Sequence, residues 1–163
     1  LAALRHFGAD ETACEAALTN ATWPARMQRL KTGPLADRCA PAELWLDGGH
    51  NPAAGKAIAT TLDTLPNRPT HLICGMLNTK DVRGFMEPLA AHAQTLTAVA
   101  IPGETNTLPA QTTADAATAV GITATTAPDL YAALDRIIAK TPNARILICG
   151  SLYFAGHVMR ENG

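Results

Sequence analysis

Leu44-Trp-Leu-Asp-Gly-Gly-His-Asn-Pro-Ala-Ala-Gly55 is the stretch that decides the fold. An apolar run stops at Asp47, crosses Gly48 and Gly49, and gives way to a helical pattern opened by Asn51 and Pro52. The two glycines allow the positive φ or close backbone approach that a tight strand-to-helix turn demands. Asn51 is a good N-cap and Pro52 suits the first helical position. Ala53, Ala57, Ile58 and Leu62 then fall on one apolar helix face. The turn therefore brings a carboxylate, an imidazole and free backbone N–H groups to one point, a candidate ligand site. The helix N-terminus, with unpaired donors and the positive end of its dipole, suits phosphate or carboxylate.

Two readings of these side chains stand side by side. Asp47 at a strand end is placed as acidic residues that bind ribose hydroxyls are placed in nucleotide-binding α/β folds. Alternatively, Asp47 caps the turn and His50 satisfies a backbone carbonyl.

Outward from this unit the chain alternates strand and helix. Helices are predicted over 11–20, 52–65, 82–93, 112–119, 128–140 and 152–161, and strands over 43–47, 70–74, 95–101, 122–125 and 145–149. Such alternation makes an α/β fold, a Rossmann-like, mostly parallel sheet with helices on both faces. Arg145-Ile-Leu-Ile-Cys and His71-Leu-Ile-Cys have the composition of strands buried on both sides. The Thr/Ala-rich tract 105–126 is poor in bulky residues and is expected to contain the least tightly packed sheet edge.

Ligands of open α/β sheets bind beyond the carboxyl ends of the strands. The loops after Asp47, Cys74, Ile101 and Cys149 should form one rim. Gly75-Met-Leu-Asn-Thr-Lys-Asp81 and Gly150-Ser-Leu-Tyr-Phe-Ala-Gly156 are both strand–glycine–polar turns into helices. Ser151 reads as an N-cap, and Lys80 beside Asp81 as a solvated pair. Upstream, Thr22-Trp-Pro-Ala-Arg-Met-Gln-Arg29 cannot continue a helix through Trp23-Pro24. Arg26 either clamps phosphate with its fork of donors or packs on Trp23.

Composition excludes several classes. The chain has 163 residues, a formal net charge of -1 and 47% hydrophobic residues, enough for a single sizeable core. No Lys/Arg block is present, against binding to nucleic acid by phosphate neutralisation. No apolar run approaches a membrane span and the N-terminus lacks a secretory pattern, so a cytoplasmic protein is expected. Cys14, Cys39, Cys74 and Cys149 form no Cys-x-x-Cys pair and are expected to be reduced, structural thiols. Leu1 in place of a methionine suggests a processed or excised fragment.

Trp-Pro-Ala-Arg-Met-Gln, Leu-Asp-Gly-Gly-His-Asn-Pro, Cys-Gly-Met-Leu-Asn-Thr-Lys-Asp and Cys-Gly-Ser-Leu-Tyr-Phe-Ala-Gly follow one another in this order. Together they resemble the C-terminal domain of the bacterial folylpolyglutamate synthase/dihydrofolate synthase family, a branch of the Mur ligases. The resemblance runs from about Trp23 to Gly156, which makes 23–163 the C-terminal domain and 1–22 the tail of a preceding central ATPase domain. Gly49 stands where the family commonly has Ala, Ala25 where it has Gly, and Thr79 where an Asp is frequent. The last exchange removes a charge.

The resemblance implies an ATP-dependent ligase. A dihydropteroate or reduced-folate carboxylate is phosphorylated to an acyl phosphate, and L-glutamate attacks it. By that analogy Arg26 contacts ATP phosphate, Asp47 binds ribose, and His50 faces nucleotide or incoming glutamate. Lys80, Ser151 and Tyr153 are the glutamate-side candidates. The sequence holds no Gly-x-x-x-x-Gly-Lys-Ser/Thr loop to cradle β- and γ-phosphates or to offer a hydroxyl to Mg²⁺. That loop, the metal ligands and most of the pterin pocket are expected in N-terminal and central domains of the same chain. The piece alone is then inactive, and a monomeric enzyme is expected. The alternatives are a ligase of another Mur branch, or a nucleotide-binding module without catalytic partners.

Overall fold

The computed structural model describes residues 2–163. Six strands, β1 (Gln28–Leu30), β2 (Glu43–Leu46), β3 (Thr70–Cys74), β4 (Thr95–Ala98), β5 (Ala124–Thr126) and β6 (Arg145–Cys149), form one sheet of order β1-β2-β6-β3-β4-β5. Every neighbouring pair is parallel except β1 with β2. The helices are α1 (Ala2–His6), α2 (Glu11–Asn20), α3 (Pro34–Cys39), α4 (Pro52–Thr64), α5 (Val82–Met86), α6 (Ala110–Ala119), α7 (Leu130–Lys140) and α8 (Leu152–Asn162).

Alternation along the strands sorts the core into two halves. Leu44, Leu46, Ile73, Ile146 and Ile148 join Leu35 of α3, Leu134 of α7 and Phe154 of α8 on one face. Leu72, Cys74, Leu96, Leu147 and Cys149 join Ile58 of α4, Phe85 of α5 and Ala117 of α6 on the other. Each fully buried Leu, Ile or Phe contributes about 1.5–3 kcal/mol relative to exposure, so the two faces supply the main drive to fold.

The predicted helix 82–93 is in fact α5 followed by a short 3₁₀ turn, Glu87–Leu89. Pro88 has no N–H for a helix interior. The predicted strand 95–101 ends at Ala98; Val99 N–H still donates to Cys74 O at 3.0 Å, whereas Ile101 is buried outside the ladder, its N–H taken by Thr107 Oγ1 at 2.8 Å. The remaining shifts are at ends. α6 begins at Ala110, β5 spans Ala124–Thr126, and α7 begins at Leu130 because Asp129 accepts from Ala132 N–H as its N-cap. α1, β1 and α3 have no counterpart in the sequence reading. β1 is too short to show a period, and α3 is held from a distance. Asn162 accepts from Leu35 and Ala36 N–H at 3.1 and 3.2 Å and donates to Thr32 O at 2.9 Å.

At the amino ends of β2 and β6, Arg29, Arg68 and Arg145 converge on Glu43. Burial pushes the Glu43 carboxyl up, but the Trp45 indole N–H and the three guanidiniums outweigh it and hold it below the usual carboxylate value. All four cysteines are free and buried. The Cys149 thiol is raised well above its ordinary value by its contact with Cys74 and by burial, which makes it inert rather than nucleophilic. β5, within the Thr/Ala-rich tract, is a sheet edge with no buried residue. No helix among the described residues is long and apolar enough to cross a membrane.

Candidate functional site

β2 ends directly at Asp47, whose N–H still donates to Ile148 O at 2.9 Å. The chain then turns through Gly48 and Gly49 into α4. Asn51 accepts from Ala54 N–H at 2.9 Å and Pro52 opens the helix, as the sequence predicts. A Cβ at Gly48 would strike the Leu152 side chain, and one at Gly49 would lie 2.8 Å from Asp47 Oδ1. A side chain at either position would thus need its neighbour to shift.

Asp47 is 5% exposed and ties two segments together. Oδ1 accepts from Gly49 N–H at 2.6 Å, and Oδ2 accepts from Met27 N–H at 2.7 Å. Short bonds from N–H to a charged carboxylate are among the stronger ones. A further bond, Gly48 N–H to Ala25 O at 2.9 Å, fixes the same loop on the turn. Within it Ala25 (φ 53) and Met27 (φ 39) are left-handed, a conformation that costs a non-glycine residue about 1–2 kcal/mol. The Gln28 side chain accepts from Ala25 N–H at 2.8 Å. Arg26 is held between the two left-handed residues, exposed, with Nη1 donating to Ala25 O at 3.1 Å. Trp23 is 74% exposed, and the cation–π contact found among the described residues is Arg38 over Tyr131, not Arg26 over Trp23.

These groups surround a cavity of about 340 Å³. Arg26, Asp47 and His50 all line it, with Ala54, Ala57 and Ile58 of α4 as an apolar wall. The residues fit a nucleotide by their chemistry. They offer an aliphatic face for a base, a carboxylate with lone pairs left beyond its two backbone bonds, a guanidinium with donors left beyond its bond to Ala25 O and a helix N-terminus. The structural reading of Asp47 and His50 is realised as well, since His50 Nδ1 lies 3.0 Å from Gly48 O. Asp47 is at once the brace of the loop and part of the cavity wall.

The other three candidates lie around the cavity rather than in its lining. Gly150 N–H donates to Gly49 O at 3.1 Å, which sets the start of α8 beside the turn. Ser151, 2% exposed, accepts from Tyr153 N–H at 3.1 Å as N-cap of α8. Tyr153 itself is 63% exposed. Lys80 is half-buried in the loop after β3. Beside it Asp81 caps α5 through Gly84 N–H at 2.9 Å, so Asp81 is an N-cap rather than half of a solvated pair. A Cβ on Gly84 would sit 2.9 Å from Pro52, so this loop adjoins the start of α4. The sequence reading missed Met27 and Gln28. The left-handed backbone that gives them their roles leaves no mark in residue type. Among the described residues no three His, Cys, Asp or Glu side chains are gathered to hold a metal ion.

The family model described as Mur ligase, glutamate ligase domain, matches residues 25–152. A probable bifunctional folylpolyglutamate synthase/dihydropteroate synthase of Haloferax volcanii is 32% identical over 147 residues, covering 88% of this chain and 16% of the relative. A probable dihydrofolate synthetase of Schizosaccharomyces pombe is 25% identical over 150 residues, covering 86% of this chain and 34% of that protein. Among solved structures, Mycobacterium tuberculosis folylpolyglutamate synthase complexed with ADP and AMPPCP superposes with a TM-score of 0.83 at 26% identity, covering 98% of this chain and 37% of that one. The chain therefore spans well under half the length of these relatives. It belongs to the Mur ligase family, through the glutamate ligase domain.

Proposed function

We propose that this Mur ligase domain is the C-terminal part of an ATP-dependent ligase that adds L-glutamate to dihydropteroate, to reduced folates, or to both. The observation that carries the reading is the convergence of Arg26, Asp47 and His50 on one cavity at the carboxyl end of β2. Supporting it, the relatives named above are described as folylpolyglutamate synthases or a dihydrofolate synthetase, and one was solved with ADP and AMPPCP.

ATP would supply the phosphoryl group that turns the substrate carboxylate into an acyl phosphate, from which the glutamate amine displaces phosphate. The part of this chain is to bind, orient and exclude water. Asp47 holds ribose hydroxyls while its backbone bonds keep the Arg26 loop in register. Arg26 donates to nucleotide phosphate, where a fixed guanidinium stabilises charge developing on the transferred group. His50 faces the nucleotide or the incoming amino acid. Tyr153 and Lys80, on the rim, are the glutamate-side groups, and Ser151 caps the helix that presents Tyr153. An acyl phosphate hydrolyses readily, so closure of this rim over the rest of the enzyme protects it and aligns amine with carbonyl.

The same reading assigns residues 1–22 to the end of a central domain. Leu4, Phe7 and Leu18 are exposed there at 43%, 86% and 65%, an apolar surface suited to further chain. That remainder would provide the phosphate-binding loop, the Mg²⁺ ligands and most of the pterin pocket, in a cytoplasmic, monomeric enzyme.

The test is phosphate release by the whole enzyme with ATP, Mg²⁺ and L-glutamate, offering dihydropteroate and tetrahydrofolate separately. Release that requires glutamate and either pterin substrate is expected. Release that instead requires a peptidoglycan precursor would place the enzyme in another Mur branch, and no ligation with any acceptor would leave a binding module.

A further inference from the structure

On the α7 face of the sheet the core stops short of the β4–β5 edge. There the inward positions change from Ile146 and Ile73 on β6 and β3 to Thr95, Thr97 and Thr125 on β4 and β5. Together with His71, the last turn of α7 and Thr141, these threonines enclose a second cavity of about 440 Å³. It lies toward the opposite end of the sheet from the turn at Asp47, because α7 runs back from Asp129 toward the amino ends of the strands.

Its chemistry is uneven in a specific way. The threonine methyls, Ile137 and the aliphatic stems of Arg136 and Lys140 make an apolar lining. Two cationic heads stand over it. Arg136 Nη1 donates to Thr126 O at 2.7 Å, which leaves the rest of its fork open. Neither Arg136 nor Lys140 has a carboxylate at ion-pair distance among the described residues. At the floor His71, 6% exposed, uses Nδ1 on Thr95 Oγ1 at 2.8 Å, while Nε2 has no protein partner. Burial lowers the His71 pKa, which favours the neutral ring under the cavity. A buried polar atom without a partner is rare enough in folded proteins to call for an explanation.

We propose that this cavity binds a small monocarboxylate with an apolar body, its carboxylate held by Lys140 and Arg136 and its body over the threonine shelf beside the His71 ring. A cavity that is mostly apolar with a few convergent polar groups is the usual form of a small-ligand site, and its size falls in the usual range. The site uses none of the residues assigned to the nucleotide cleft and stands whether or not the ligase reading does.

The experiment follows the imidazole ring and backbone amide resonances of the protein during titration with benzoate, with benzamide as the neutral control, and repeats both in Lys140→Gln. Lys140 is exposed, so the variant keeps the fold, and an unchanged amide spectrum away from α7 verifies this. Benzoate is expected to shift the His71 ring and the Thr97 and Thr125 amides saturably and more tightly than benzamide. Lys140→Gln should weaken benzoate by roughly tenfold, the loss of one charge-assisted contact. Equal shifts with benzamide, equal affinity in the variant, shifts confined to His50 and Gly49, or no saturable shift at all would each overturn the proposal.

Discussion

Replacing Asp47 by Asn exchanges a carboxylate that accepts two backbone N–H bonds, at 2.6 and 2.7 Å, for an amide with one acceptor oxygen. One of the two bonds is lost, and the new NH₂ faces either Gly49 N–H or Met27 N–H, donor against donor. The surviving bond also loses its charge. A hydrogen bond to a charged group contributes about 1.5–3 kcal/mol, and an unsatisfied buried donor costs about 1–3 kcal/mol. Asp47→Asn should therefore destabilise by about 2–3 kcal/mol, and Asp47→Ala, which abandons both donors, by about 3–5 kcal/mol. The assay is urea unfolding with linear extrapolation, paired with amide exchange at Met27 and Gly49. The midpoint should fall with little change in slope, and protection at Met27 should drop more than protection in β3. A change below about 0.5 kcal/mol, the range of ordinary surface substitutions, with Met27 still protected, would refute the bracing role.

Further outcomes follow from other parts of the fold. Gly150 has φ 106, and an added Cβ would meet Gly75 O at 2.6 Å and Cys74 Sγ at 2.7 Å; Gly150→Ala should cost at least about 2–3 kcal/mol in thermal or urea unfolding. Asn162→Ala removes three bonds that anchor residues 32–36, so a loss of about 2–4 kcal/mol and faster amide exchange at Leu35 and Ala36 are expected. Glu43 is held below the ordinary carboxylate value in the fold, so the folded state binds fewer protons than the unfolded state as the pH falls. Its stabilisation is present above the unfolded value of about 4.3 and is lost as the pH drops through the lower folded value. Glu43→Gln should flatten the acid limb of a stability–pH curve in that window; an unchanged slope would mean that the arginines do not perturb it.

The parallel sheet was legible because its signal is doubled. Arg145-Ile-Leu-Ile-Cys and His71-Leu-Ile-Cys are bulky apolar runs, each followed by glycine, and after the first Ser151 caps the next helix. The turn at Asp47 was legible for the same reason, down to Asn51 as cap and Pro52 as first helical residue. Partnership across long sequence distances was not. Asn162 reaches back to Leu35, and nothing local to either residue announces it. Ile101 looks like strand but leaves the ladder, because burial in a loop and burial in a sheet select the same side chains. For Asp47 the residue type pointed to the site, but its grip on Met27 depends on left-handed φ values at Ala25 and Met27, residue types that do not ordinarily adopt them. The φ of 53 at Ala25 is a conformation that glycine adopts freely.

Equilibrium binding of ADP to the whole enzyme, compared with its Arg26→Ala variant, tests most directly the proposed nucleotide site at the Arg26–Asp47–His50 cavity. Arg26 is exposed and braces no other segment, so the substitution should leave unfolding unchanged. The loss of charged hydrogen bonds to phosphate should weaken ADP by about ten- to a hundredfold. Unchanged ADP affinity in a folded Arg26→Ala enzyme would contradict the assignment.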